Sequence, residues 1–153
     1  MFRVTGVQEV DAVLKGLPLQ VTDRVLQAAF ADSANRTLVP SAKSLAPKGE
    51  THNLVDSIGV TKEPARTLTS RAVGQVQAGP RRKGKYKGYH AHMIEYGTTV
   101  RETKSGANRG LVTPEPFMQP AFEQTKLAME VGINNSIGKK LLAFMRRTIK
   151  NAR

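Results

Sequence analysis

Tyr89-His90-Ala91-His92-Met93-Ile94-Glu95-Tyr96-Gly97-Thr98 is followed by a polar stretch and then by Val112-Thr113-Pro114-Glu115-Pro116-Phe117-Met118-Gln119-Pro120-Ala121-Phe122. Gly97 breaks a short apolar element, and the stretch after it mixes Gly106 and Gly110 with Arg101, Lys104 and Arg109. Pro114 and Pro116 bias the residues before them toward extended backbone. Pro120 suits the first position of a helix, where no backbone N–H is required. The reading is a short element and a long helix tied by a flexible loop over 98–115 with a rigid landing. That is the layout of a docking feature rather than of a catalytic cleft. For residues 89–96 the period fits a helical turn and a strand equally.

Downstream, Phe122, Thr125, Met129, Ile133, Ile137, Leu141, Phe144 and Thr148 recur at three- and four-residue steps, which predicts a helix over about 120–150 with a break near Gly132 to Asn135. Its end is basic, and cations there oppose the helix dipole favourably. Upstream, Arg81-Arg82-Lys83-Gly84-Lys85-Tyr86-Lys87-Gly88 puts five positive charges in eight residues and reads as a loop over 80–88. Before it, 54–61 and about 68–79 read as two strands joined by a turn at Glu63-Pro64-Ala65. In the first, Ile58 and Val60 share one face and Gly59 and Thr61 the other. Ser41 to Asn53 is polar and turn-rich.

Val21, Val25, Leu26, Ala29, Phe30, Ala34 and Leu38 predict a helix over about 19–39 that stops before Pro40. Thr5 and Gln8 have the spacing of a capping box, opening a first helix over about 6–16. An isolated amphipathic helix gains little in water, so these stripes require a partner. The expected class is α+β: one domain over 1–153, with a small antiparallel sheet packed against two N-terminal helices and a long C-terminal helix.

The 153 residues suffice for a single core. Zero Cys excludes a disulfide scaffold and thiolate metal ligation, and fits a reducing cytoplasm. No apolar run nears the ~20 residues of a membrane span, and Met1 to Gly6 lacks the apolar region of a secretory signal. The formal charge is +12, from 24 Lys and Arg against 12 Asp and Glu, which favours a polyanionic partner.

His90, His92 and Glu95 form the cluster closest to a metal site, but zinc catalysis wants a third well-placed ligand and an open position. The bland reading is an ordinary histidine pair at an interface or partly buried. There is no cysteine nucleophile, no Gly-x-Ser-x-Gly elbow and no Gly-rich phosphate loop ending in Lys-Ser or Lys-Thr. The dispersed carboxylates form no pair, so the expectation is a protein without enzyme activity and without a cofactor. The basic run has three readings: a solvated tip, an interface loop meeting an acidic neighbour, or a phosphate contact with Tyr86 and Tyr89 available for stacking.

One resemblance covers most of the chain. Its residues are Gly6-Val7, Leu17-Pro18, Arg24-Val25-Leu26-Gln27-Ala28-Ala29, Lys43-Ser44-Leu45-Ala46-Pro47-Lys48 leading to Asn53-Leu54-Val55-Asp56-Ser57-Ile58, Tyr89, Ile94-Glu95-Tyr96-Gly97-Thr98, and Pro116-Phe117-Met118-Gln119-Pro120-Ala121. With these the chain resembles the neck, or tail-completion, family of long-tailed bacteriophages. It departs at Glu50-Thr51-His52-Asn53, where the family usually has Thr-Gly before the Leu. The resemblance implies a structural virion protein, a ring-forming α+β subunit at the head–tail junction, made in the host bacterial cytoplasm. The ring would join the head connector to the tail tube or terminator and line the DNA exit path.

Its partners would be sister copies (a hexamer, with a dodecamer as the alternative), the head-closure or connector protein, and the tail terminator or tube protein. Genomic DNA would be a non-specific contact. A closed ring uses heterologous contacts, and the two loops are the candidate arms. The docking residues expected are Arg81, Arg82, Lys83, Lys85 and Lys87 in the first, and Arg101, Lys104 and Arg109 in the second. Phe117 and Tyr96 are expected to anchor the second loop on its own subunit. The competing class is a basic nucleic-acid-binding protein, and a His-dependent metal nuclease is the third.

Overall fold

The computed structural model describes residues 18–63, 73–83, 85 and 87–151. The helix expected over 6–16 lies outside them, as do Pro64 and Ala65 of the expected turn and residues 68–72 of the strand expected over about 68–79. The described elements are α1 (Leu19–Arg36), α2 (Leu38–Leu45), α3 (Asn53–Ser57), β1 (Ile58–Lys62), β2 (Val76–Pro80), a 3-10 turn (Gly88–His90), α4 (Ala91–Tyr96) and α5 (Met118–Asn151). β1 and β2 pair as a two-stranded antiparallel sheet. The fold is α+β, and the chain divides into two compact units.

The first unit takes Met1–Arg36, Val60–Gln77 and Leu127–Arg153. Its centre is α1, which buries Val25, Ala29, Ala31 and Ala34 together with Asp23, Gln27 and Ser33. Buried residues two apart lie on opposite sides of a helix, so this one is enclosed on more than one side. Each of these buried polar side chains fastens a segment outside the helix. The Asp23 carboxylate accepts the Gly74 N–H at 2.8 Å. The Gln27 amide donates to the carbonyls of Glu63 and Gln75 at 2.7 and 3.2 Å, and the Ser33 hydroxyl donates to the Met129 carbonyl at 2.7 Å. A further link runs from the Ser136 hydroxyl to Asp32 at 3.0 Å. Burying these groups without partners would cost about 1–3 kcal/mol apiece. No buried side-chain N or O among the described residues lacks one.

The second unit takes Thr37–Gly59 and Ala78–Lys126. Leu38, Ala42, Ala46, Leu54, Ile58, Ala91, Phe117 and Ala121 form its core. Gly88 is packed tightly: a Cβ there would lie 2.5 Å from the Ser57 hydroxyl and 2.8 Å from the Arg81 carbonyl. Its N–H donates to that same carbonyl at 3.0 Å.

Several boundaries differ from the sequence expectation. The helix expected over 19–39 ends at Arg36, and a second begins at Leu38 and runs through Pro40 to Leu45. Pro40 is tolerated because it falls in the first turn, where its missing N–H has no partner to lose. Residues 54–57, expected in a strand, are helical together with Asn53. His52 enters this turn with left-handed backbone (φ 51°), and the Ser57 hydroxyl closes it by donating to the Leu54 carbonyl at 2.6 Å. Ile58 and Gly59 are both buried, so the expected face alternation fails there. The Arg81 side chain covers Gly59, with its guanidinium carbon 2.7 Å from where a Cβ would sit.

Residues 88–96 resolve as helical turns. The expected break near Gly132 is absent, since α5 is continuous. A Cβ at Gly132 would lie 2.5 Å from the Ser33 hydroxyl, so that glycine serves close helix approach rather than a break. Among the described residues, no helix is long and apolar enough to cross a membrane.

Candidate functional site

The site is built on the start of α5. Phe117 is the residue before the first helical turn, and its carbonyl accepts the Ala121 N–H at 3.2 Å. A phenylalanine has no side-chain acceptor, so it cannot cap the helix as Ser, Asp or Asn would. The first four N–H groups of a helix have no partner within it. Here they belong to positions 117–120, and Pro120 has none. The other three are taken by a single carboxylate from elsewhere in the chain: Glu95 Oε2 accepts from Phe117 at 2.9 Å and Met118 at 3.0 Å, and Oε1 accepts from Gln119 at 3.1 Å. Every donor at the helix start is accounted for.

Glu95 is 8% exposed. Burial pushes its carboxyl upward, but the N–H bonds from Met118, Phe117 and Gln119 outweigh it, and the net shift is below its ordinary 4.5. The positive end of the helix dipole acts in the same sense. Sequence reasoning weighed Glu95 only as a metal ligand and so missed this role. The signal was present: a helix with Phe117 at its capping position has no side-chain acceptor there, so an outside carboxylate can take the place.

The same cap fixes the segment between. Glu115 donates to the Ile94 carbonyl at 2.7 Å, and Thr98 donates to the Val112 carbonyl at 3.0 Å. Val112 returns a bond to the Thr98 hydroxyl at 3.0 Å. Beyond that base the chain, expected as a flexible loop, is an antiparallel arm. Arg101 donates to Gly110 at 3.0 Å and Arg109 to Arg101 at 2.6 Å, with Glu102 bridged to Asn108. Thr103, Gly106 and Ala107 make the tip: Thr103 donates to the Ala107 carbonyl and Gly106 to the Thr103 carbonyl, both at 2.9 Å. Gly97 makes the entry with φ 71° and ψ −176°, a conformation open essentially to glycine alone.

The expected docking residues divide as follows. Arg101, Lys104 and Arg109 are exposed along the arm. So are the apolar Val100 and Leu111, at 54% and 60%. Phe117 is 1% exposed, whereas Tyr96 is 79% exposed. The expectation that Tyr96 anchors the arm is therefore corrected. Glu95 and Tyr96 are about 100° apart around α4, and turning Glu95 inward turns Tyr96 out. Glu95 does that work with Phe117.

His90 and His92 are two apart on a helical turn, which points them in different directions, and the Glu95 oxygens face the start of α5. Among the described residues, no group of three or more His, Cys, Asp or Glu could hold a metal ion.

The basic segment makes a second feature. Arg81, Lys85 and Lys87 line a recess of ≈ 380 Å³ together with Asn53 and Asp56. Arg81 is held in place at its backbone and its side chain: its N–H and its Nε both donate to the Ser57 carbonyl at 3.0 Å. Arg82 and Lys83 are exposed beside it. Asn53 and Asp56 were not expected beside the basic segment, because Asn53 was read as the end of a turn-rich stretch and Asp56 as part of a strand. The chain matches no family model, no curated protein and no solved structure.

Proposed function

We propose that this chain is a structural joining protein of a phage neck, forming a ring between the head connector and the tail tube or terminator. One observation carries the reading. The two most specific motifs behind the resemblance, Ile94-Glu95-Tyr96-Gly97-Thr98 and Pro116-Phe117-Met118-Gln119-Pro120-Ala121, form one hydrogen-bonded unit through Glu95. A catalytic cleft would need convergent side chains, but this unit converges on backbone and sends an arm outward. The arm combines cations with exposed Val100 and Leu111, a composition suited to a neighbour that is apolar at the centre and acidic at the rim.

Heterologous contacts of this kind, repeated with closing rotation, generate a ring. A hexamer is the favoured stoichiometry and a dodecamer the alternative, with sister copies, a connector protein and a tail protein as partners. Electron micrographs of the purified chain, alone and with tail proteins, test this: closed rings support it, and a monomer in both samples overturns it. The second reading is a nucleic-acid-binding module, favoured by the basic recess at Arg81. It predicts a duplex complex at physiological salt without any ring.

A further inference from the structure

We infer that the outer face of α5 pairs with the same face of a second copy of this chain, antiparallel and about a two-fold axis. The inference does not rest on the arm or the ring: a ring uses heterologous contacts, whereas this contact is isologous.

Leu127, Val131, Gly138 and Leu142 fall within about 60° of one another around a helix that turns about 100° per residue. Ser136 and Ile137, turned away from this arc, are buried. Leu127, Val131 and Leu142 are 66%, 59% and 56% exposed, so the arc is an apolar stripe facing outward. At Gly138 a Cβ would meet nothing within 4 Å. Unlike Gly132, this glycine leaves a gap in the stripe.

The stripe is symmetric along the helix. Leu127 and Leu142 stand equally far from the point between Asn134 and Asn135, and so do Val131 and Gly138. Two copies laid antiparallel about that point set each Leu127 against the other's Leu142, and each Val131 into the gap at Gly138. A branched side chain over a glycine lets two helices approach to about 8 Å, the near end of their usual range. At the axis a residue meets its own copy, which suits the exposed Asn134 and Asn135. An amide carries donors and an acceptor, so two copies can bond each other, and a polar pair at the centre fixes register.

Charge selects the direction. Glu130 lies as far from the midpoint as Lys139, so the antiparallel pair brings opposite charges to one level. A parallel pair would set the exposed Lys139, Lys140 and Arg146 against their own copies, and like charges across a contact are costly. Shape and charge are thus complementary to themselves, which makes the occupant a second copy.

The chain has no Cys, so introduced ones report the geometry. Disulfides are formed in the full chain under mild oxidant and read on non-reducing gels. A disulfide needs Cα atoms within about 7 Å. Asn135→Cys, beside the axis, should cross-link most of the protein to dimer. Leu127→Cys alone should not, because its own copy lies more than ~20 Å away along the helix. Leu127→Cys combined with Leu142→Cys should cross-link. Equal cross-linking of Leu127→Cys and Asn135→Cys, or none at any position, overturns the inference.

Light scattering separates this contact from the ring. Val131→Glu with Leu142→Glu should halve the mass of the parent assembly, ring or not. Thermal melts should stay near the parent's, because both side chains are exposed. A parent that is a dimer without rings keeps the inference and sinks the ring reading. A monomeric parent, or a mass that the two glutamates leave unchanged, overturns the inference and leaves the stripe to a different protein.

Discussion

Glu95 is the residue on which the second unit's arm and the start of α5 depend. Replacing it with alanine leaves three N–H groups at the start of α5 without an acceptor. Loss of a cap typically costs about 1 kcal/mol, and leaving buried donors unsatisfied adds to it. The expected loss on Glu95→Ala is about 2–3 kcal/mol, read from urea unfolding. The pH dependence has a definite sign. A carboxylate whose folded pKa is depressed contributes stability above its ordinary value, here 4.5, and that contribution is lost as pH falls through the lower folded value. Glu95→Gln should therefore flatten the acid limb of a stability-versus-pH curve and leave its neutral shape alone. Gly97 is the second residue of this kind. With φ 71°, and a Cβ that would lie 2.9 Å from both Pro114 Cδ and the Val112 carbonyl, Gly97→Ala should cost on the order of 1–3 kcal/mol.

At the scale of elements, α1 and the Leu127–Asn151 portion of α5 meet through Ser33 and Gly132. Alanine is preferred over glycine inside a helix by about 1 kcal/mol, yet Gly132→Ala alone should destabilise, because its Cβ displaces the Ser33 hydroxyl from the Met129 carbonyl. Removing that hydroxyl removes most of the conflict. The double variant Ser33→Ala with Gly132→Ala should be about 1 kcal/mol more stable than Gly132→Ala, a non-additivity that residues in contact show. Thermal denaturation of the four proteins in the cycle measures it.

The same pair explains a misreading of sequence. A glycine in an apolar periodic stretch suggests a break when only the chain is in view. It suggests close approach once a partner helix is seen. The apolar stripe expected along this helix is its covered side from Thr125 to Phe144, with Ile137 and Leu141 buried, and of its described members only the first departs: Ala121 is buried and Phe122 exposed.

For the whole molecule, the proposed joining role turns on the arm. Val100→Asp with Leu111→Asp places charge on two exposed apolar residues and touches no described hydrogen bond of their side chains. Secondary structure and melting temperature should stay near the parent's, while light scattering should show the assembly reduced toward monomer. An unchanged assembly would remove the arm from the interface.

The α+β class, the long C-terminal helix and a stiff return at Pro114 and Pro116 were legible in the chain, whereas the ordered arm after Gly97 was read as a flexible loop. They follow from periodicity and from the backbone limits of proline and glycine, which are local. The tertiary structure alone decided that Glu95 caps a helix beginning 23 residues later, that Tyr96 faces out, and that Arg81 lies on Gly59. Each depends on which distant groups meet, and a buried N–H or a missing Cβ selects its partner only after the segments have been brought together.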